Sequence, residues 1–141
     1  MSGIRGKDTK PELVIRSGLH VRGFRFRLHS PGIPGKPDLV FPKYKAVIFI
    51  HGCFWHGHRC HLFKWPSSRA GFWKKKIKGN IRNDIRNLGL LCRRYKLRIL
   101  VIWECSLKGK TRQGPEKVLL AASSWLNSNS QYREIRGKDN R

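Results

Sequence analysis

The eleven residues from His51 to His61, HGCFWHGHRCH, hold four histidines and two cysteines. Thiolate and imidazole are ligands that Zn²⁺ prefers, and Cys53, His58 and Cys60 fit within one short loop. A tetrahedral site needs a fourth ligand. Cys105 is the candidate, because it lies just past an apolar run ending at Trp103 and neighbouring strand ends meet in space. Four protein ligands leave no open position for water, so such a zinc is structural and pins down a loop too polar to fold alone. The Cys-x4-His-x-Cys spacing differs from that of common zinc fingers, and buried thiols beside surface histidines are the alternative. Cys92, inside a helical stretch, reads as a packed small residue.

The chain has only eight carboxylates, so each can be weighed. Asp38, in PGKPDLVF, starts a strand after a tight loop. There its oxygens and a backbone carbonyl suit a hard cation such as Mg²⁺, with His51 about one strand away facing the same space. An Asp after Pro is also an ordinary strand-start residue. Glu12 closes the capping box TKPE, which explains it without any chemistry. Asp84, amid NIRNDIRN, reads equally as a solvated helix residue beside Arg82 and Arg86.

The charge balance narrows the partner. Thirty-one Lys and Arg against eight Asp and Glu leave a formal charge of +23. A compact domain accepts that self-repulsion most readily against a polyanion, which points to nucleic acid. An anionic membrane surface fits less well, since no segment reads as a basic amphipathic helix with a continuous apolar face. No apolar run approaches the roughly 20 residues of a membrane span. The start, MSGIRGKDTK, lacks the apolar core of a signal peptide, so a cytoplasmic protein is expected.

The positioning elements follow from periodicity. A helix is expected from Lys10 to about His20, then a half-exposed strand in which Phe24, Phe26 and Leu28 alternate with Arg25, Arg27 and His29. SPGIPGKP is a loop, DLVF a short strand, and Lys45 to Ile50 a continuous apolar strand placed centrally. A long helix is expected over about Arg69 to Tyr95, a buried strand over Leu97 to Trp103, and a helix from about Pro115. That last helix sets Val118, Leu119, Ala122 and Trp125 on one face. These elements describe one α/β domain over 1–141: a mixed β-sheet flanked by helices, a short arm at 1–8 and a frayed tail from about 128.

The blocks PGKPDLVF, AVIFIHGCFWHGHRC, FWKKKIKGNIRND and LVIWECSLKGK, in this order and at these separations, closely resemble the very short patch repair (Vsr) DNA mismatch endonucleases. The resemblance runs over roughly Ile4 to Trp125. It implies a restriction-endonuclease-like fold. It also implies that one strand of duplex DNA is nicked 5′ of the thymine in T:G mismatches that arise when 5-methylcytosine deaminates. By the resemblance, Asp38 matches the metal-binding aspartate and Ile50 the position whose carbonyl completes the Mg²⁺ site. Relatives often carry Thr where Ile50 stands, a change that matters little if only the carbonyl binds. His51 and His56 match the active-site histidines, Glu12 a carboxylate that orders water beside the metal, and Asp84 an acid near the site. Cys53, His58, Cys60 and Cys105 match the zinc ligands. Phe54, Trp55 and Trp73 match aromatics that enter the duplex beside the mismatch, where unstacking costs least. His56 is the candidate general base and His51 takes the place of a nuclease lysine, although the two roles are interchangeable at this level.

Relatives commonly carry a longer N-terminal arm that helps clasp DNA, so a weaker and more salt-sensitive grip is expected here. A single-strand nick needs one active site and favours a monomer; a mismatch-repair protein partner is a further candidate. Two other readings stand beside this one: a zinc-stabilised DNA-binding module without hydrolysis, and a restriction-type nuclease acting on matched DNA.

Overall fold

The computed structural model describes residues 9–138. The arm at 1–8 lies outside the described residues. Helix α1 spans Lys10–Val21, and the Thr9 hydroxyl accepts the Glu12 N–H at 3.4 Å, as its capping motif requires. Pro11 sits in the first turn, where no N–H is needed. Strands β1 (Arg27–Leu28), β2 (Leu39–Phe41) and β3 (Ala46–His51) follow, then helix α2 (Ala70–Arg93). Strand β4 (Arg98–Trp103), helix α3 (Pro115–Leu126) and strand β5 (Tyr132–Ile135) complete the order.

The five strands lie in the order β1-β2-β3-β4-β5. The β1/β2 and β2/β3 pairs are antiparallel, while β3/β4 and β4/β5 are parallel. The sheet is therefore mixed and β3 is central, as its unbroken apolar run predicts. Period-two alternation splits the core into two layers. Ile48 of β3, with Leu100 and Ile102 of β4, packs against Ile15 and Leu19 of α1 and Val118, Leu119, Ala122 and Trp125 of α3. Val47 and Phe49, with Ile99, Val101 and Trp103, face Leu91 of α2 and the cysteines Cys53 and Cys105. Arg98 fastens α3 by donating to the Trp125 and Leu126 carbonyls at 3.2 and 2.9 Å, satisfying acceptors that a helix C-terminus leaves open.

Two expectations need correcting. The half-exposed strand over Phe24–His29 shrinks to the two residues of β1, and Leu28 is 43% exposed. Phe24 and Phe26 still reach the core, but the chain leaves the ladder at His29, which takes φ 46°. The tail read as frayed forms β5 instead. Parallel pairing with β4 fills the ladder beside a central strand, and Ile135 is the one residue of β5 that the sheet buries. Beyond it, the Gly137 N–H reaches the Cys105 sulfur at 3.2 Å. No helix among the described residues is long and apolar enough to cross a membrane.

Candidate functional site: two acid–histidine clusters beside a thiolate cage

Because β3 and β4 are parallel and β2 runs against them, the start of β2 and the ends of β3 and β4 share one edge of the sheet. Asp38 stands just before β2, His51 ends β3, and Cys105 follows β4 by two residues. This edge gathers, among the described residues, three clusters whose candidate ligand atoms lie within 4.8 Å of one another.

The first is Cys53, His58, Cys60 and Cys105. His58 Nδ1 lies 3.5 Å from the Cys53 sulfur and 3.7 Å from that of Cys105. Bonds of roughly 2.3 Å to sulfur and 2.1 Å to nitrogen at the tetrahedral angle set these atoms about 3.6 Å apart, so the donor set fits Zn²⁺. All four cysteines are free. The Cys105 thiol is held down to about 4 by hydrogen bonding with Cys53 above all, then with His58 and the Gly137 N–H. That same contact with Cys105, followed by burial, pushes the Cys53 thiol far up. Two sulfurs sharing one proton in this way suit a cation that neutralises both. The loop itself is a tight coil: His56 N–H donates to the Gly52 carbonyl at 3.2 Å and His58 N–H to Cys53 at 2.9 Å.

The second cluster is Glu12, His29 and Asp38. Glu12 is 1% exposed, a cost no cap requires, and its carboxylate meets Arg16 at 2.9 Å and His29 Nε2 at 3.0 Å. Asp38 Oδ2 accepts the Ile50 N–H at 2.7 Å, while His29 lies 3.9 Å from its other oxygen. Burial raises the Asp38 carboxyl to about 7 and the nearby Glu12 charge adds to the rise, against the lowering effects of the Ile50 N–H and of His29. Two carboxylates crowded out of water and rich in hard oxygen are a fitting cradle for Mg²⁺.

The third is His51, His56 and Asp84. The two imidazoles stack at 3.7 Å with planes 5° apart, and His56 Nδ1 lies 2.6 Å from Asp84 Oδ2. Lone pairs of parallel stacked rings lie in separate planes, which suits convergence on one ion less well than the other two clusters do. His51 is 8% exposed, and burial, then the neighbouring His56 and His58, lower its pKa well below the ordinary value. It is thus held neutral. Its buried Nδ1 has no hydrogen-bond partner among the described residues.

Phe54, Trp55 and Trp73 meet edge to face, with centroids 5.3 to 5.6 Å apart, and all three stay partly open to solvent. Asn80 of α2 donates to the Trp55 carbonyl at 2.8 Å, which ties the loop to the helix. The ring cluster extends further than the sequence suggests, through Phe63, Phe72 and the exposed Trp65. Sequence reasoning also missed His29, Trp103 and Glu104, whose carboxylate accepts the Cys53 N–H at 3.2 Å. Trp103 and Glu104 stand directly before Cys105 in the block LVIWECSLKGK, which was the available signal, whereas His29 is brought in by long-range packing.

Comparison with known proteins gives the family. The family model described as DNA mismatch endonuclease Vsr matches residues 1–62. DNA mismatch endonuclease Vsr of Escherichia coli is 39% identical over 126 residues, covering 89% of this chain and 80% of that protein. The chain belongs to the Vsr family. Two further relatives are named as type II nicking enzymes. V.XorIIP of Xanthomonas oryzae is 46% identical over 107 residues, 76% of this chain and 78% of its own length. V.NmeAIP of Neisseria meningitidis is 46% identical over 110 residues, 78% of each chain. The matched Vsr region holds Asp38, the histidine stack and three of the four cage residues, while Cys105 and Asp84 come from beyond residue 62.

Proposed function

We propose that this Vsr-family protein is a DNA endonuclease that nicks one strand of duplex DNA 5′ of the thymine in a T:G mismatch of the kind left by 5-methylcytosine deamination. The observation that carries the chemistry is a pair of carboxylates, Glu12 and Asp38, gathered with His29, while Asp38 is tied to β3 through the Ile50 N–H and a carboxylate-anchored histidine stack begins at the next residue, His51. Mg²⁺ held by the Asp38 carboxylate and the Ile50 carbonyl would supply the positive charge that phosphodiester hydrolysis demands. Glu12, fixed by Arg16 and His29, would orient water at the phosphate. Asp84 holds His56 through Nδ1, leaving Nε2 to take the proton of the attacking water as the bond from phosphorus to the leaving oxygen breaks. His51, buried and neutral, suits a hydrogen bond to a phosphate oxygen rather than the charge a lysine would bring. The geometry therefore favours His56 as base.

Zinc in the Cys53, His58, Cys60 and Cys105 cage would hold Phe54 and Trp55 rigid at the DNA face, with Trp73 of α2 beside them. A wedge of flat rings costs a few kcal/mol of unstacking in paired DNA and less at a mismatch, so the wedge itself selects. One such site per nick suits a monomer acting on the bacterial chromosome in the cytoplasm. The test compares a labelled duplex carrying T:G with its T:A twin, with Mg²⁺ present or omitted. Nicking of only the T:G strand, lost without Mg²⁺ and in Asp38→Ala, is the expected result. Equal cleavage of T:A would make the protein a nuclease of matched DNA, and tight binding without cleavage would make it a binding module.

A further inference from the structure

We propose that Glu134, on the C-terminal strand, is a positioning residue for the histidine pair and for the thiolate cage, acting through Trp103. The inference rests on the site described above but concerns groups outside it. Trp103 ends β4 directly opposite His51 of β3 in the sheet register. One face of its indole lies flat on His58, with centroids 4.1 Å apart and planes 8° apart. His51 meets the same ring edge-on at 5.2 Å, and His56 at 6.3 Å. A single side chain thus touches a cage ligand and both imidazoles of the stack.

Stacking on His58 and packing in the core beside α2 hold the plane of the indole, and its polar end is held separately. There Nε1–H donates to Glu134 Oε1 at 2.6 Å, a short charge-assisted bond. Trp103 is 9% exposed, and a buried indole N–H needs a partner. Glu134 pairs with Val101 across the β4/β5 ladder, so the diagonal step to Trp103 lies on the same face. Glu134 is itself exposed and fills no core position. Removing the acceptor leaves a buried N–H unsatisfied, a cost the indole relieves by shifting toward water, which moves its contacts with His58 and the histidine stack.

The test uses the zinc-loaded full chain with three readouts: the single-turnover nicking rate on the T:G duplex, the affinity for that duplex, and zinc loss to a competing chelator. Glu134→Ala should slow nicking by about tenfold or more while duplex affinity changes by less than about twofold, since a misplaced catalytic group costs rate before binding. Zinc loss should accelerate by at least about threefold, as loss of an outer partner loosens a metal ligand. Glu134→Gln, whose amide oxygen still accepts the indole N–H, should recover both. Unchanged rate and zinc retention in Glu134→Ala would overturn the proposal. So would a Gln variant as damaged as Ala, or rate and affinity falling together with zinc retention intact, because Glu134 would then act on DNA directly. If the parent protein does not nick T:G duplexes at all, the functional reading fails, and zinc loss together with the His51 and His56 ring proton signals still reports the Trp103 linkage. Should Glu134→Ala fail to fold, Glu134→Asp keeps the charge and draws the carboxylate back by one methylene, with the same pattern expected at smaller size.

Discussion

Gly57 stands between the proposed base and a cage ligand, at φ 62° in the left-handed region. A Cβ built there would lie 2.6 Å from Ile81 Cδ1 and 3.0 Å from Ile77 Cγ2, both on α2. Gly57→Ala therefore meets two costs. The left-handed backbone costs an L-residue about 1–2 kcal/mol. Ile81 Cδ1 is a side-chain end that can swing aside, but the branched Ile77 Cγ2 is buried, so the loop must shift by a few tenths of an ångström, and overpacking of that kind costs about 1–3 kcal/mol. The sum, about 2–5 kcal/mol, should lower Tm by on the order of 10 °C in a domain of this size. The shift also disturbs the 2.6 Å contact of His56 with Asp84, and misplacement of a reacting group by up to about 1 Å costs up to about a hundredfold in rate. Thermal unfolding and single-turnover nicking of the T:G duplex measure the two effects. Ile81→Val deletes the atom that the new methyl strikes first, so the double variant should be more stable than the sum of the single changes by at least about 0.5 kcal/mol. A Gly57→Ala protein with parental Tm and rate, or strictly additive single changes, would refute the docking of this loop through Gly57.

Other outcomes follow from the same coordinates. Asp84→Asn should slow nicking by about a hundredfold or more with duplex affinity unchanged, because the amide no longer fixes the His56 tautomer; an equal loss of affinity would contradict a purely positional role. Cys60→Ser should lower zinc content and expose the amides of residues 52–62 to hydrogen exchange, while β3 and β4 stay protected. Asp38 gives a pH signature in Mg²⁺-free protein. Its carboxyl, raised from 3.8 to about 7, keeps a proton that the unfolded chain has lost, so its ionisation on raising the pH removes stability across that window. Asp38→Asn should therefore gain in Tm relative to the parent between pH 5 and pH 8, and a relative loss over that range would rule out the raised value. Adding Mg²⁺ should stabilise the parent more at pH 8 than at pH 6, since the cation binds the ionised carboxylate.

Much of this could be read along the chain because rare residue types were crowded into one loop. Cys53, His58 and Cys60 announce a cage by proximity alone, and Cys105 follows from the single topological idea that parallel strand ends share an edge. Helix α1 follows from its capping box and Pro11, α2 and α3 from their periodicity, and the central placing of β3 from its unbroken apolar run. What the sequence could not reveal depends on contacts between distant segments. Glu12 is a sufficient helix cap by local rules, and only the approach of His29 and Asp38 makes it one of two carboxylates sharing a largely desolvated site. β5 looks like a polar tail, since Tyr132, Arg133 and Glu134 stay exposed and the strand exists by pairing with β4 rather than by burying a face. Pattern along the chain thus determined which side chains are candidates for the chemistry. Tertiary structure decided which of them meet and which are stripped of water, because desolvation and hydrogen-bond geometry exist only where segments far apart in sequence are brought together.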